Sequence, residues 1–171
     1  MWQLIWMKID GKAPGISTVR WLGAAIEKLV RNPEFNIAFF SFAFHFVWEF
    51  IQIPTYVGMS ELDHWQGVLV CVRATFGDVG IALAAFWTAS LAVRSRHWIE
   101  TLKSVALGVY LSTALAITIV LEFAYTQVTH RWVYSELMPR LPPFGTGLSP
   151  LLQWVVVPLL VLFVVKRQIR A

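Results

Sequence analysis

Four apolar stretches, at about 36–57, 66–92, 103–125 and 150–166, approach the roughly 20 residues a helix needs to cross the hydrocarbon of a bilayer. Lipid satisfies no backbone N–H or C=O, so each crossing segment is expected to be a helix that closes its own hydrogen bonds. Composition points the same way, with 57% hydrophobic and 14% charged residues in a chain of 171. The expected fold class is an all-α integral membrane protein: a four-transmembrane-helix bundle preceded by an amphipathic helix at the interface. The expected organisation is an N-terminal segment over 1–33 and a transmembrane domain over 34–171. The second stretch reads as long or tilted. The fourth is short, about 25 Å at 1.5 Å per residue.

The formal charge of +4 does not imply a nucleic-acid partner, because the basic residues are dispersed between spans. Lys8, Lys12, Arg20, Lys28 and Arg31 precede span one, Arg94, Arg96 and Lys103 separate spans two and three, and Lys166, Arg167 and Arg170 follow span four. Only Arg131 and Arg140 fall on the other side, with Arg73 inside span two. By the positive-inside pattern both termini are expected in the cytoplasm, which places the protein in a bacterial-type inner membrane. The run Trp2 to Met7 is too short for a signal-peptide core, so the chain is expected to be used uncleaved. Cys71 is the sole cysteine, which excludes an internal disulfide.

Residues 17–31 carry Val19, Leu22, Ile26 and Leu29 or Val30 on one side and Arg20, Glu27, Lys28 and Arg31 on the other. That pattern predicts an interfacial helix, capped by Ser17 or Thr18 and ended by Asn32-Pro33. Between spans one and two, Ser60 to Trp65 predicts a tight hairpin. The long segment from Gln127 to Ser149 contains Trp132, Tyr134 and Met138 among several prolines and glycines, the pattern of a lid or of an aromatic interfacial crossover. Ser149-Pro150 predicts an N-cap and first-turn proline for span four, and Pro158 a kink within it. No internal repeat or low-complexity tract is evident.

The feature that bears on function is a stripe in span one. Ser41, His45, Glu49 and Gln52 follow one another at steps of four, four and three residues, on one helical face. An ionisable side chain near the bilayer centre costs about 2.5–3.5 kcal/mol on insertion scales, which makes it a functional candidate by default. Cys71, Thr75 and Asp78 share a face of span two, Thr118, Glu122 and Thr126 a face of span three, and Gln153 lies in the first turn of span four. Depth counting puts Glu49, Asp78, Glu122 and Gln153 in the middle or outer half. The polar seams are expected to turn inward on a pocket open to the extracytoplasmic side, with Gly77, Gly80 and Ala84 letting neighbouring helices approach. Pro54 is expected to bend span one and free the Phe50 carbonyl toward that pocket.

Three carboxyls, an imidazole and a guanidinium in a low-dielectric pocket cannot all hold their usual charges, so at least one carboxyl is expected to keep its proton near neutral pH. The candidate acid-base residues are Glu49, His45, Asp78 and Glu122. Candidate binding residues are Arg73, Gln52, Trp48, Gln153 and Tyr134, with Arg73 able to pair with a carboxylate, snorkel or take an anion. No metal is assigned, since neither HExxH nor paired Glu-x-x-His motifs occur, and the sequence names no cofactor. The leading functional expectation is binding or acid-base modification of a small amphiphile such as a lipid, isoprenoid or quinone-like molecule. The alternatives are a non-catalytic subunit of a larger membrane complex, with membrane-protein partners, and a proton-coupled transporter.

Overall fold

The computed structural model describes residues 16–170, and of residues 16–20 and 22 only the backbone. The chain is an all-α bundle in which four helices are long and apolar enough to cross a membrane. In chain order the helices are α1 (Ile16–Val30), α2 (Pro33–Gln52), α3 (His64–Ala92), a single turn α4 (Trp98–Thr101), α5 (Ser104–Phe123) and α6 (Leu148–Arg170). Packing runs α2 to α3, α3 to α5 and α5 to α6, and α6 closes the ring on α2.

Local chemistry sets the helix boundaries. Asn32 caps α2 by accepting from the Phe35 N–H at 2.8 Å, and Pro33 occupies the first turn, where a missing donor costs nothing. Asp63 caps α3, its Oδ1 accepting from the N–H groups of Trp65 and Gln66 at 2.9 and 3.1 Å. Pro54 ends α2, which continues as a 3-10 turn over Ile53–Thr55. The Phe50 carbonyl is not left free as the sequence suggests, because that turn brings the Ile53 N–H onto it.

Two further expectations are corrected. Ser149 does not cap α6: the helix begins at Leu148, and the Ser149 hydroxyl donates across to Gln52 instead. Gly77 and Gly80 do not mediate close helix approach, since a Cβ at either would meet nothing within 4 Å. The close-packed face of α3 is the alanine row Ala82, Ala85 and Ala89, all fully buried. The span-four helix is also longer than its apolar run, 23 residues and about 35 Å. The α2–α3 connection is no tight hairpin, because α2 stops at Gln52 and two 3-10 turns fill the interval to Asp63.

The two ends of the bundle differ in kind. At the α4 end the interior is a close-packed apolar core, in which the Trp98 ring packs on Phe86 and Tyr110 at centroid distances of 6.0 and 5.7 Å. Trp98 is inserted by α4 and anchored by its indole N–H to the Ser90 hydroxyl at 3.2 Å. Arg96 pairs with Glu34, joining the α3–α4 turn to the start of α2. Phe39, Val47, Ile51, Phe76, Leu91 and Phe163 point outward and are exposed, so the outer face is apolar too.

At the opposite end, residues 124–148 fold back over the bundle. They begin with a π turn at Ala124–Val128 and include a short hairpin pairing β1 (Arg140–Leu141) with β2 (Thr146–Gly147). This lid is stitched to the α2–α3 connection by Val57 N–H to Val133 O and Ser135 N–H to Thr55 O, each 2.9 Å. Tyr134 and Met138 are buried beneath it. Tyr134 therefore belongs to the interior and not to an interfacial aromatic belt.

On α1, Trp21, Ile26 and Leu29 are exposed, and Arg31 pairs with Glu27 at 3.4 Å. The side chains of Ser17, Thr18, Val19, Arg20 and Leu22, and the segment Trp2–Met7 with Lys8 and Lys12, lie outside the described residues.

Candidate functional site

The α2 stripe faces inward along its whole length. Asn36, Ser41, His45 and Gln52 are buried, and Glu49 lies between the last two on the same face. Its partners come mainly from α6. Gln153 projects its amide nitrogen to 2.9 Å from His45 Nδ1, 3.2 Å from Glu49 Oε1 and 3.3 Å from Asp78 Oδ2. Three helices thus meet at one amide. His45 Nδ1 also lies 3.5 Å from Asp78 Oδ2, and its ring packs on Trp154 at 4.7 Å between centroids.

A second chain of donors ends on the same carboxyl. The Trp48 indole N–H donates to the Ser149 hydroxyl at 3.2 Å, Ser149 donates to Gln52 Oε1 at 3.0 Å, and the Gln52 amide donates to Glu49 Oε1 at 2.9 Å. Every link points toward Glu49. Ser149 is the member that sequence reasoning assigned elsewhere; its spacing of four from Gln153 places both on one face of α6.

The amide count has a chemical consequence. Gln153 carries two N–H hydrogens but faces an imidazole nitrogen and two carboxyl oxygens. One acceptor goes without, one carboxyl supplies its own proton, or His45 Nδ1 carries its proton and donates instead of accepting. The second solution also removes the repulsion between two carboxylates in a low-dielectric site. His45 Nε2 is buried with no partner among the described residues, so the imidazole is oriented by the contacts of Nδ1 and by its packing on Trp154.

Glu122 is held apart from this cluster by the lid. Its Oε2 accepts from the Tyr134 hydroxyl and, at 3.4 Å, from the Trp132 indole N–H. The Tyr134 oxygen in turn accepts from the Gly147 N–H at 3.1 Å. Burial, and secondarily the Glu122 charge, push the Tyr134 phenol above the ordinary tyrosine range. Tyr134 is accordingly a constant donor at neutral pH. Gly147 is required here, because a Cβ would lie 2.8 Å from Met138 Sδ and 3.0 Å from Tyr134 Cζ.

Both subsites border one cavity of about 490 Å³. Glu49, Asp78, Glu122, Gln52 and Gln153 line it, as do Arg73 and Tyr56, whereas Trp48, His45 and Tyr134 stand behind the lining. Thr118, from the polar seam expected to turn inward, also lines it, as do Arg131 and Trp132, which were not among the sequence candidates. The one-turn spacing from Glu122 back to Thr118 is the signal for the first; the other two depend on how the lid folds. Arg73 is in no ion pair among the described residues, so pairing with a carboxylate, one of its sequence expectations, does not occur. Among the described residues no group of three or more His, Cys, Asp or Glu is arranged to hold a metal ion.

No protein-family model, curated protein or solved structure matches this chain. The site must be interpreted from its own chemistry.

Proposed function

We propose that the protein binds a small amphiphile, of the lipid, isoprenoid or quinone-like kind, in the cavity beneath the lid, and modifies it by acid-base chemistry. The observation that carries this reading is the meeting of Glu49, Asp78 and His45 at the Gln153 amide on the wall of a cavity large enough for a small ligand. Four ionisable or amide groups on three apolar helices are expensive to insert, and adhesion between helices needs nothing beyond serine, threonine or small residues. In this reading Glu49 is the principal acid or base, Asp78 holds the complementary proton, and His45 with Gln153 positions the pair. Glu122 fixes the lid through Tyr134. The basic residues near both chain ends and in the α3–α5 connection support a reading in which the lid faces the extracytoplasmic side of a bacterial-type inner membrane and the cavity is fed from the outer leaflet.

Solvent deuterium exchange tests the reading across all lipid classes at once. Reconstituted protein is incubated with a membrane-lipid extract in D₂O, and deuterium uptake into each lipid class is read by mass spectrometry. Uptake into one class is expected, and is abolished in Glu49→Gln and Asp78→Asn variants that retain the wild-type unfolding temperature. Equal uptake in wild type, variants and protein-free controls would contradict the reading.

The reading as a subunit of a larger membrane complex draws on a different observation. Phe35, Phe39, Phe42 and Phe76 line a wholly apolar groove of about 360 Å³ on the outer face between α2 and α3. Co-purification of stoichiometric membrane partners, lost when Phe39 and Phe76 are replaced by alanine, would favour it.

A further inference from the structure

We propose that the mouth of the cavity is a receptor for an oxyanion headgroup, held by Arg73 and Arg131, so that the amphiphile admitted is one with a phosphate or carboxylate end. This inference rests on the amphiphile reading above and names its substrate class. Arg73 comes from α3 and Arg131 from the lid, and both line the same cavity. Although three carboxyls line that cavity as well, neither guanidinium is in an ion pair among the described residues. Each carboxyl instead turns one oxygen toward another donor: Glu49 Oε1 toward the Gln52 and Gln153 amides, Asp78 Oδ2 toward the Gln153 amide, and Glu122 Oε2 toward the Tyr134 hydroxyl and the Trp132 indole.

Two arginines that line a cavity with carboxylates and pair with none of them leave N–H donors free for whatever enters. Arginine's planar fork matches the geometry of phosphate and carboxylate oxygens, and both residues are exposed and so open to an incoming anion. The Arg131 guanidinium is orientated in advance, its carbon 5.1 Å from the Tyr125 ring centroid and 5.8 Å from that of Trp132.

Depth places these groups at headgroup level. With 29 residues α3 is about 43 Å long against roughly 30 Å of hydrocarbon, so a centred helix overhangs by about 6 Å at each end. Arg73, nine residues from the lid end of α3, then starts about 7 Å below the boundary, within reach of a snorkelling side chain. Asp78 lies five residues deeper, roughly 7 Å further in. The anion would thus sit above the carboxyl cluster, and the uncharged part of the molecule would face it. An independent feature points to an occupant at depth: Thr118 lines the cavity, is 4% exposed, and its hydroxyl has no partner among the described residues.

The test is equilibrium binding to the full chain in phosphatidylcholine nanodiscs, against empty discs, with labelled dodecyl phosphate, labelled dodecanol and inorganic phosphate. Dodecyl phosphate is expected to bind at least tenfold more tightly than dodecanol. Arg73→Gln with Arg131→Gln should remove that preference, and the double lysine variant should retain part of it. Should the glutamine variant not fold, the comparison of headgroups on the wild type decides by itself. Equal binding of phosphate ester and alcohol would overturn the headgroup receptor and leave the amphiphile cavity standing. Binding of neither above empty discs would overturn both. Competition by inorganic phosphate as strong as that by dodecyl phosphate would overturn the lipid headgroup in favour of a free anion.

Discussion

The amide nitrogen of Gln153 on α6 lies 2.9 Å from Nδ1 of His45 on α2, and the same nitrogen reaches the carboxyls of Glu49 and Asp78. Removing it orphans buried acceptors on two other helices. Gln153→Leu, which keeps approximate size, should destabilise the bundle by about 1–3 kcal/mol, the cost of leaving buried polar groups unpaired. Thermal unfolding in detergent reads this directly, and an unchanged unfolding temperature would show that the cluster does not depend on the amide.

Beside its backbone stitches to the α2–α3 connection, the lid is predicted to depend on the Tyr134 hydroxyl. Tyr134→Phe deletes the donor to Glu122 and the acceptor for the Gly147 N–H together. Hydrogen exchange across residues 132–147 should rise by about tenfold or more, for a loss of at least about 1.4 kcal/mol, while α4 and its buried Trp98 keep their protection. Uniform change, or none, would remove Tyr134 from its role as fastener.

The same contact has a pH signature. The folded phenol is raised above its unfolded value, so its contribution is fully present below the unfolded pKa of about 10 and is lost as pH rises through the folded value. Lid protection is therefore expected to be insensitive to Tyr134 from about pH 6 to 9 and to weaken only in strong alkali. Tyr134→Phe should abolish that alkaline component, and its persistence in the variant would assign it to another group.

Gly147→Ala tests how closely β2 approaches the buried lid residues. A Cβ there would lie 2.8 Å from Met138 Sδ and 3.0 Å from the Tyr134 ring, a contact that must be relieved by moving one of them. A loss of about 1–3 kcal/mol is expected, typical of overpacking. Met138→Ala should offset part of it in the double variant, and strictly additive effects would contradict the contact.

The bundle is legible in the sequence because hydrocarbon imposes length and apolarity on every span, and the α2 stripe is legible because side chains three or four residues apart share a helical face. Asp78 and Gln153 could be brought near Glu49 by counting depth along antiparallel helices. The lid is not legible in this way. Burial of Tyr134 follows from pairings with Tyr56, Glu122 and Gly147 that no local pattern encodes. Ser149 shows the same limit: a serine before a proline has a strong local cap preference, and a long-range bond to Gln52 overrides it. Gly77 and Gly80 mislead for the opposite reason, because small residues suit both a close helix contact and the wall of a cavity. Gly77 takes the second place.

The central claim is that an amphiphile enters the cavity beneath the lid, and photolabelling tests it most directly. A long-chain alcohol bearing a terminal diazirine is added to the reconstituted protein, irradiated, and the labelled peptides are mapped with and without excess unlabelled alcohol. The account predicts saturable labelling of the cavity segments around Gly77 and Thr118, displaced by competitor, above a non-saturable background on outward residues such as Val47 and Phe163. Labelling confined to those outward residues, with no competition, would contradict it.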